Sequence, residues 1–345
     1  MRAYQIPSNR RYWVVRAEGG AYYQNFIQGS IVAIGHFDEL DIQVADTKNF
    51  LPNYEELRTT TITKAKLKEL NRRQAATHFS QIKHFIYDIG VGDWVITVSS
   101  ASIRVGLVTS TAFIENLPNI TYHDTNQTNS TIMKSKLRRN VDWGPSISRA
   151  NIPYGLQATL KANQTVFNVD KHVEAIAHTL YPCFILDSAL HLSIRIRTQD
   201  EIKNQSMVSL LTFLNEIEIF AKEKDNLTPE NFNNAYLCYL QQHLLTLTTK
   251  AQYHSPGDIW AKIKNIKEPK NIAIALALYG MIFGNSTAGM DGILDLQTRQ
   301  KLWDLVIHRI DSTNIIDASK DLKLEPPKYD TQKLESLDHT QIHDL

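Results

Sequence analysis

Cysteine is scarce. The 345-residue chain has two, Cys183 and Cys238, too few for a disulfide framework and in no C-x-x-C or Cys/His zinc spacing. A reducing compartment, and so a cytoplasmic location, is the expectation. Charge of one sign is also missing. Thirty-seven Lys and Arg against 36 Asp and Glu leave a formal net charge of +1, so affinity for a polyanion must come from a local patch. The segment Met1–Arg11 has charges but no apolar run, and no signal peptide is expected. The histidines form no HExxH or HxH cluster, and no Walker-A loop or GxSxG elbow occurs. No metal, cofactor or catalytic constellation is therefore expected. Long hydrophobic runs are lacking too. Asn271–Met290 carries no charge and contains Gly280-x-x-x-Gly284, yet its apolar part, Ile272–Phe283, would span about 18 Å as helix. That falls short of the roughly 30 Å hydrocarbon core, so a buried helix is expected rather than a membrane segment.

What remains is an ordinary globular balance, 43% hydrophobic and 21% charged, in a length that usually holds two domains. The stretch Tyr12–Leu40 organises the first. Tyr12-Trp13-Val14-Val15 reads as a strand, Gly19-Gly20 as a break, and Tyr22, Tyr23, Phe26 and Ile27 as one face of a short helix. Gly29 is placed to end that helix, and Ile31–Gly35 reads as a second strand. A glycine pair after a strand lets backbone approach a ligand, with Arg16 beside it as a cation; a plain turn explains the same residues. Short helices are expected near Tyr54–Leu57 and Lys64–Leu70. A longer one opens at Arg72-Arg73-Gln74 and continues through Phe79, Ile82, Phe85 and Ile86. Gly92-Asp93 is a turn, Trp94–Val98 a strand and Ile103–Val108 its partner. Residues 115–131 read as a long surface loop, Arg138–Trp143 as a short strand, and 144–164 as a connection. These short strands with two or three helices fit a small β-barrel with helical insertions.

The pattern changes after about residue 165. Val169–Leu180 reads as a helix and Leu190–Arg197 as a strand. Thr198–Glu201 reads as a capping box opening a long helix through Phe220. Thr228-Pro229 opens another helix, and residues 258–309 read as further helices. Residues 326–345, with Pro326-Pro327, read as a polar tail.

In order and spacing, several motifs of the first half resemble the N-terminal module of Mrr-type restriction proteins, a PUA-like module close to the EVE domains. They are Trp13–Ala17 with Gly19-Gly20, then Phe26, Gly29 and Ile31–Gly35. Gln81-Ile82 with Phe85, Gly92–Ile96, Gly106–Val108 and Arg139–Trp143 complete them. The resemblance covers slightly under half the chain. It implies a small twisted barrel whose concave pocket accepts a base, often a modified one, lifted out of nucleic acid.

A lifted base must be stacked on an aromatic ring and hydrogen-bonded along its edge. Trp13 and Phe79 are candidate rings, while Trp94, on a β run, reads as core and Trp143 stays open. Arg16, Gln74, Thr77, Ser80 and Ser99 are candidate edge or phosphate contacts, with Gly19 and Gly20 shaping the approach. Arg72, Arg73, Lys134, Lys136, Arg138 and Arg139 are candidates for a basic rim. Mrr-type proteins also carry a nuclease, which needs an Asp and a Glu-x-Lys triplet around Mg²⁺. Asp187 and Glu201-Ile202-Lys203 match by type, but Glu201 sits in an expected first helical turn and reads as a cap.

The resulting expectation is an α+β chain. Residues 1–165 form a PUA-like, EVE-like barrel reading nucleic acid, DNA in preference to RNA. Residues 166–325 form a mostly helical effector or assembly domain, and 326–345 the tail. The expected setting is bacterial defence against foreign DNA, with protein subunits or a second copy as further partners. The alternatives are a non-catalytic scaffold subunit and a divergent Mg-dependent nuclease.

Overall fold

The computed structural model describes residues 2–38, 40, 42, 46–115, 120–123, 130–162, 164–223, 226–251, 256–266, 268–283 and 296–337. They form a mixed α+β protein in two units. One unit holds residues 9–176 and 330–337; the other holds 2–8 and 177–329.

The chain opens with β1 (Tyr4–Gln5), which pairs in parallel with a strand near residue 184 and so belongs to the second unit. The first unit then runs β2 (Tyr12–Val15), a 3₁₀ turn (Glu18–Gly20), α1 (Tyr23–Gln28) and β3 (Ile31–Ile34). Next come α2 (Tyr54–Leu67), α3 (Arg72–Lys83) and a π-helical turn (His84–Asp88). β4 (Trp94–Val98), β5 (Ser102–Val108), β6 (Phe113–Ile114), β7 (Ile120–His123), β8 (Ser130–Met133) and β9 (Leu137–Ser148) follow. α4 (Tyr154–Thr159) and β10 (Val166–Asn168) close the run.

The main sheet has the order β10-β2-β4-β5-β9-β3, with β6 also on β9. Its curl comes from β9. Leu137–Asn140 pairs with β3, and Val141–Ser148 pairs with β5, so one strand serves two parts of the sheet. A bulge between Arg104 and Gly106 sharpens the bend. Gly106 is required there by space, since a Cβ would lie 2.3 Å from Val141 Cγ1 and 2.6 Å from Trp143 Cε3. Val15, Phe26, Val32, Phe85, Val95 and Trp143 meet in the core this curl encloses.

Two expectations fail here. The connection proposed for 144–164 is strand as far as Ser148, despite Pro145, and part of the 115–131 loop is the β7–β8 hairpin. The buried Asn25 side chain, which donates to Ile120 O and Thr131 O, anchors that hairpin. Gly29 ends α1 with φ −79°, so its role is not left-handed backbone. A Cβ there would lie 2.6 Å from Ile120 Cδ1.

The second unit starts inside α5 (Val173–Leu180) and continues with β11 (Cys183–Leu186), β12 (Ala189–Ile196), α6 (Asn204–Glu223) and α7 (Phe232–Gln241). β13 (Thr248–Ala251), β14 (Gly257–Lys264), α8 (Pro269–Met281), α9 (Leu296–Thr313), α10 (Ile315–Leu322) and β15 (Leu324–Glu325) complete it. Its sheet has the order β1-β11-β12-β14-β13, with β15 on β12, and α6 and α8 share one core with it. Helix outweighs strand in this unit, but six strands among the described residues form its sheet, and the helical reading of 258–309 is corrected at β14. β14 shows why they belong. Ile259, Ala261 and Ile263 are fully buried while Asp258, Trp260 and Lys262 are half-buried, the period of two that marks a strand. α8 is buried along its length, as expected for the uncharged stretch. Residues 284–290 of that stretch lie outside the described residues. No helix among the described residues is long and apolar enough to cross a membrane.

The boundary near 165 is also displaced. β10 is an edge strand of the first sheet, and the division falls at 176/177. The tail is not loose as far as it is described. Within it, α11 (Gln332–Glu335) buries Leu334 beside Gly144, with its carbonyl accepting from Trp94 Nε1 at 3.4 Å.

Candidate functional site

Helices α2 and α3 form a hairpin in the first unit whose ends are set by their own sequence. Asn53 caps α2, accepting from the Glu55 and Glu56 N–H groups. Asn71 and Gln74 form a reciprocal capping box at α3, each bond 2.9 Å. The join carries Lys64, Lys66, Lys68, Arg72 and Arg73 against one acid, Glu69. Lys66, Lys68, Arg72 and Arg73 are exposed. The lysines ending α2 suit the negative end of its dipole. Arg72 and Arg73 do not suit theirs. They occupy the first turn of α3, where the helix dipole favours anions and each cation costs about 0.3–1 kcal/mol. Helix stability does not explain them.

Between these helices and the turn after β3 lies a cavity of about 90 Å³, lined by Gly35, His36, Thr61, Lys64, Lys68 and His78 over an apolar base that includes Leu40 and Ile82. Gly35 and Lys68 are exposed, so it opens outward. The His36 and His78 rings stand 4.7 Å apart. His36 Nε2 meets Thr165 Oγ1 at 3.2 Å. Thr165 is fixed in turn: its N–H donates to Gln81 Oε1 at 3.0 Å, and its carbonyl accepts from the Arg16 N–H at 2.8 Å. The end of β2, the start of β10 and α3 thus converge on one wall. Thr61 Oγ1 donates to Leu57 O, which leaves it an acceptor towards the cavity.

The residues expected to stack or grip are placed differently. Trp13 is 1% exposed. Its indole N–H donates to Asp93 Oδ2 at 3.1 Å, the Arg11 guanidinium lies 4.9 Å from its ring, and His84 packs against it. It is core, not a platform. Trp94 and Trp143 are buried as well, the latter donating to Phe26 O. Phe79 is half-buried edge-on to Tyr54. Arg16 donates from its guanidinium to Ala162 O. Glu18, Gly19 and Gly20 have positive φ, but the backbone that Gly20 approaches is the chain's own Val98–Ser99. Ser99 Oγ closes the β4–β5 turn through Ser102. Gln74 Oε1 accepts the capping bond from the Asn71 N–H, Thr77 Oγ1 bonds Arg73 O, and Ser80 Oγ meets His84.

Arg138 and Arg139 are the clearest correction. Both are buried, Arg138 donating to Ser135 O. Arg139 donates to Phe85 O at 2.7 Å, Ile86 O at 2.9 Å and Ser110 O at 3.0 Å. Phe85 and Ile86 lie in the π-helical turn, where the regular ladder of α3 has ended and carbonyls need other donors. Arg139 is that donor. Burial pushes its guanidinium down to about 10. Of the expected rim, Arg72, Arg73, Lys134 and Lys136 are on the surface, and Arg138 and Arg139 are not. The cavity's His36, His78, Lys64 and Lys68 were missed; the spacing in Lys64-x-Lys66-x-Lys68 ahead of Arg72-Arg73 was the available signal.

The nuclease triplet does not assemble. Asp187 is in the left-handed turn that joins β11 to β12, and Glu201 lies beyond the far end of β12. Eight strand residues separate them by about 25 Å, too far to share one metal. Thr198 does not open a helix either: its hydroxyl accepts from the Asp200 N–H, α6 begins at Asn204, and Lys203 pairs with Asp321.

No family model, no curated protein and no solved structure matches the chain.

Proposed function

We propose that residues 9–176 form a PUA-like module that binds nucleic acid, DNA in preference to RNA, by gripping phosphates with the α2–α3 hairpin. The carrying observation is the cluster of five cations at the join, two of them held against the helix dipole where only a ligand repays the cost. A lifted base is left out of this reading. All three indoles of this unit are buried, so none of them offers a stacking face. The setting, foreign-DNA defence in a bacterial cytoplasm, comes from the resemblance. The test is anisotropy of a labelled duplex with the full chain between 50 and 200 mM salt, conditions chosen as roughly those that separate phosphate binding. Each phosphate contact contributes about −0.9 to the slope of log K on log salt, so Arg72→Gln with Arg73→Gln flattens it by about 1.8. Absence of binding at low salt, or an unchanged slope, removes the proposal. A second reading, a protein-binding scaffold, is favoured by the closure of the Trp13 region around its own side chains.

A further inference from the structure

We propose that the cavity between α2, α3 and the Gly35–Phe37 turn binds a phosphate monoester and, if the hairpin grips nucleic acid as just proposed, the phosphorylated end of a strand. Size is the first argument. About 90 Å³ in a cavity open on one side is room enough for a tetrahedral oxyanion.

The lining chemistry is the second. Lys64, Lys68, His36 and His78 bring two ammonium groups and two imidazoles to one space, and among the described residues no carboxylate lines it. Asp38, close to Gly35, accepts from the Lys136 N–H at 2.8 Å. The two imidazole rings stand 4.7 Å apart, close enough for both to face one bound group.

The third argument separates a terminal from an internal phosphate. An internal diester carries one charge and a sugar on each side. The apolar base formed by Leu40, Ala65 and Ile82 leaves no passage for the second sugar. A monoester enters end-on with three terminal oxygens and about −1.5 to −2 charge. Those oxygens meet the four nitrogen-bearing side chains, and the charge matches the two lysines. Because α2 and α3 carry both the cavity and the exposed Arg72 and Arg73, a strand held by the arginines can end in the cavity.

The experiment compares one oligonucleotide with a 5′-phosphate, a 3′-phosphate or hydroxyl ends against the full chain, with inorganic phosphate followed separately by the His78 imidazole signals in NMR. A phosphorylated end is expected to bind at least about tenfold tighter, the worth of one charge-assisted hydrogen bond. His78→Gln and the exposed Lys68→Gln, which leaves the fold intact, each reduce that preference. Equal affinity for all ends, with salt-dependent binding retained, overturns the cavity assignment and leaves the backbone grip standing. A preference that survives both variants overturns it too. Inorganic phosphate shifting the His78 signals while no oligonucleotide binds sustains the monoester site and defeats the nucleic-acid reading.

Discussion

Replacing Arg139 by methionine keeps most of the side chain's length and removes its fork. Three hydrogen bonds from a cation to carbonyls are lost, at Phe85, Ile86 and Ser110. Such bonds contribute about 1.5–3 kcal/mol each, so the gross loss is about 5–9 kcal/mol. One term opposes it. Burial lowers the guanidinium from 12.5 to about 10; at about 1.4 kcal/mol per unit, methionine escapes a desolvation penalty of roughly 3 kcal/mol. The loss wins, with a net destabilisation of about 3 kcal/mol, or about 6–12 °C in Tm for a unit of this size. Arg139→Lys keeps the charge but offers one compact donor group where three carbonyls diverge, so it recovers little. The assay is urea and thermal unfolding followed by the fluorescence of Trp13, Trp94 and Trp143, all buried in this unit, with the salt dependence of DNA binding measured beside it. A methionine variant within about 0.5 kcal/mol of the parent, the range of ordinary surface changes, together with a slope flatter by about 0.9, would make Arg139 a phosphate contact and refute the reasoning.

Two further outcomes follow from the packing. Gly106→Ala puts a methyl 2.3 Å from Val141 Cγ1 at the bulge of β5, and a loss of about 1–3 kcal/mol is expected in urea unfolding; an unchanged midpoint would show that the sheet yields there. His178 sits stacked on Trp260 with Nδ1 at 2.8 Å from Ser193 Oγ, and burial, with His191 and Lys250 nearby, holds its imidazole well below the usual range. The unfolded chain takes up a proton below about pH 6.5 that the folded one refuses, so stability is full above that pH and falls beneath it by up to about 1.4 kcal/mol per unit. In His178→Gln that slope shrinks, as pH-dependent unfolding midpoints would record.

Much of the first unit was legible because its strands are dense in β-branched and aromatic residues. Tyr12–Val15 and Trp94–Val98 stand where their composition puts them. β9 was cut short because Gly144-Pro145 looks like a break. On this strand the proline is tolerated, since the run as far as Ser148 stays paired to β5. β14 is a different kind of miss. Its alternation was present in Asp258–Lys264, and residues two apart fall on opposite sides of a helix, so the strand was legible there and was lost by reading 258–309 as helical throughout. Gly29 was placed correctly and explained wrongly, because the atom that excludes a Cβ comes from a strand ninety residues away, in a region that reads as loop.

The two arginine pairs show why a site is harder to read than a fold. Arg72-Arg73 and Arg138-Arg139 are the same dipeptide, and composition cannot tell them apart. Helical geometry puts the first pair in an opening turn, where backbone N–H groups already point outward and neighbouring side chains are few. Strand geometry sends Arg138 and Arg139 to opposite faces of β9, and at this bend both faces are covered, so both guanidiniums go inside. Once inside, each must find carbonyls, and the π-helical turn after α3 supplies two that have lost their helical donors. The buried cation therefore follows from a demand made by another helix end, fifty residues earlier in the chain. Among the described residues nothing bonds the side chains of the exposed pair, and for that reason the phosphate reading rests on it.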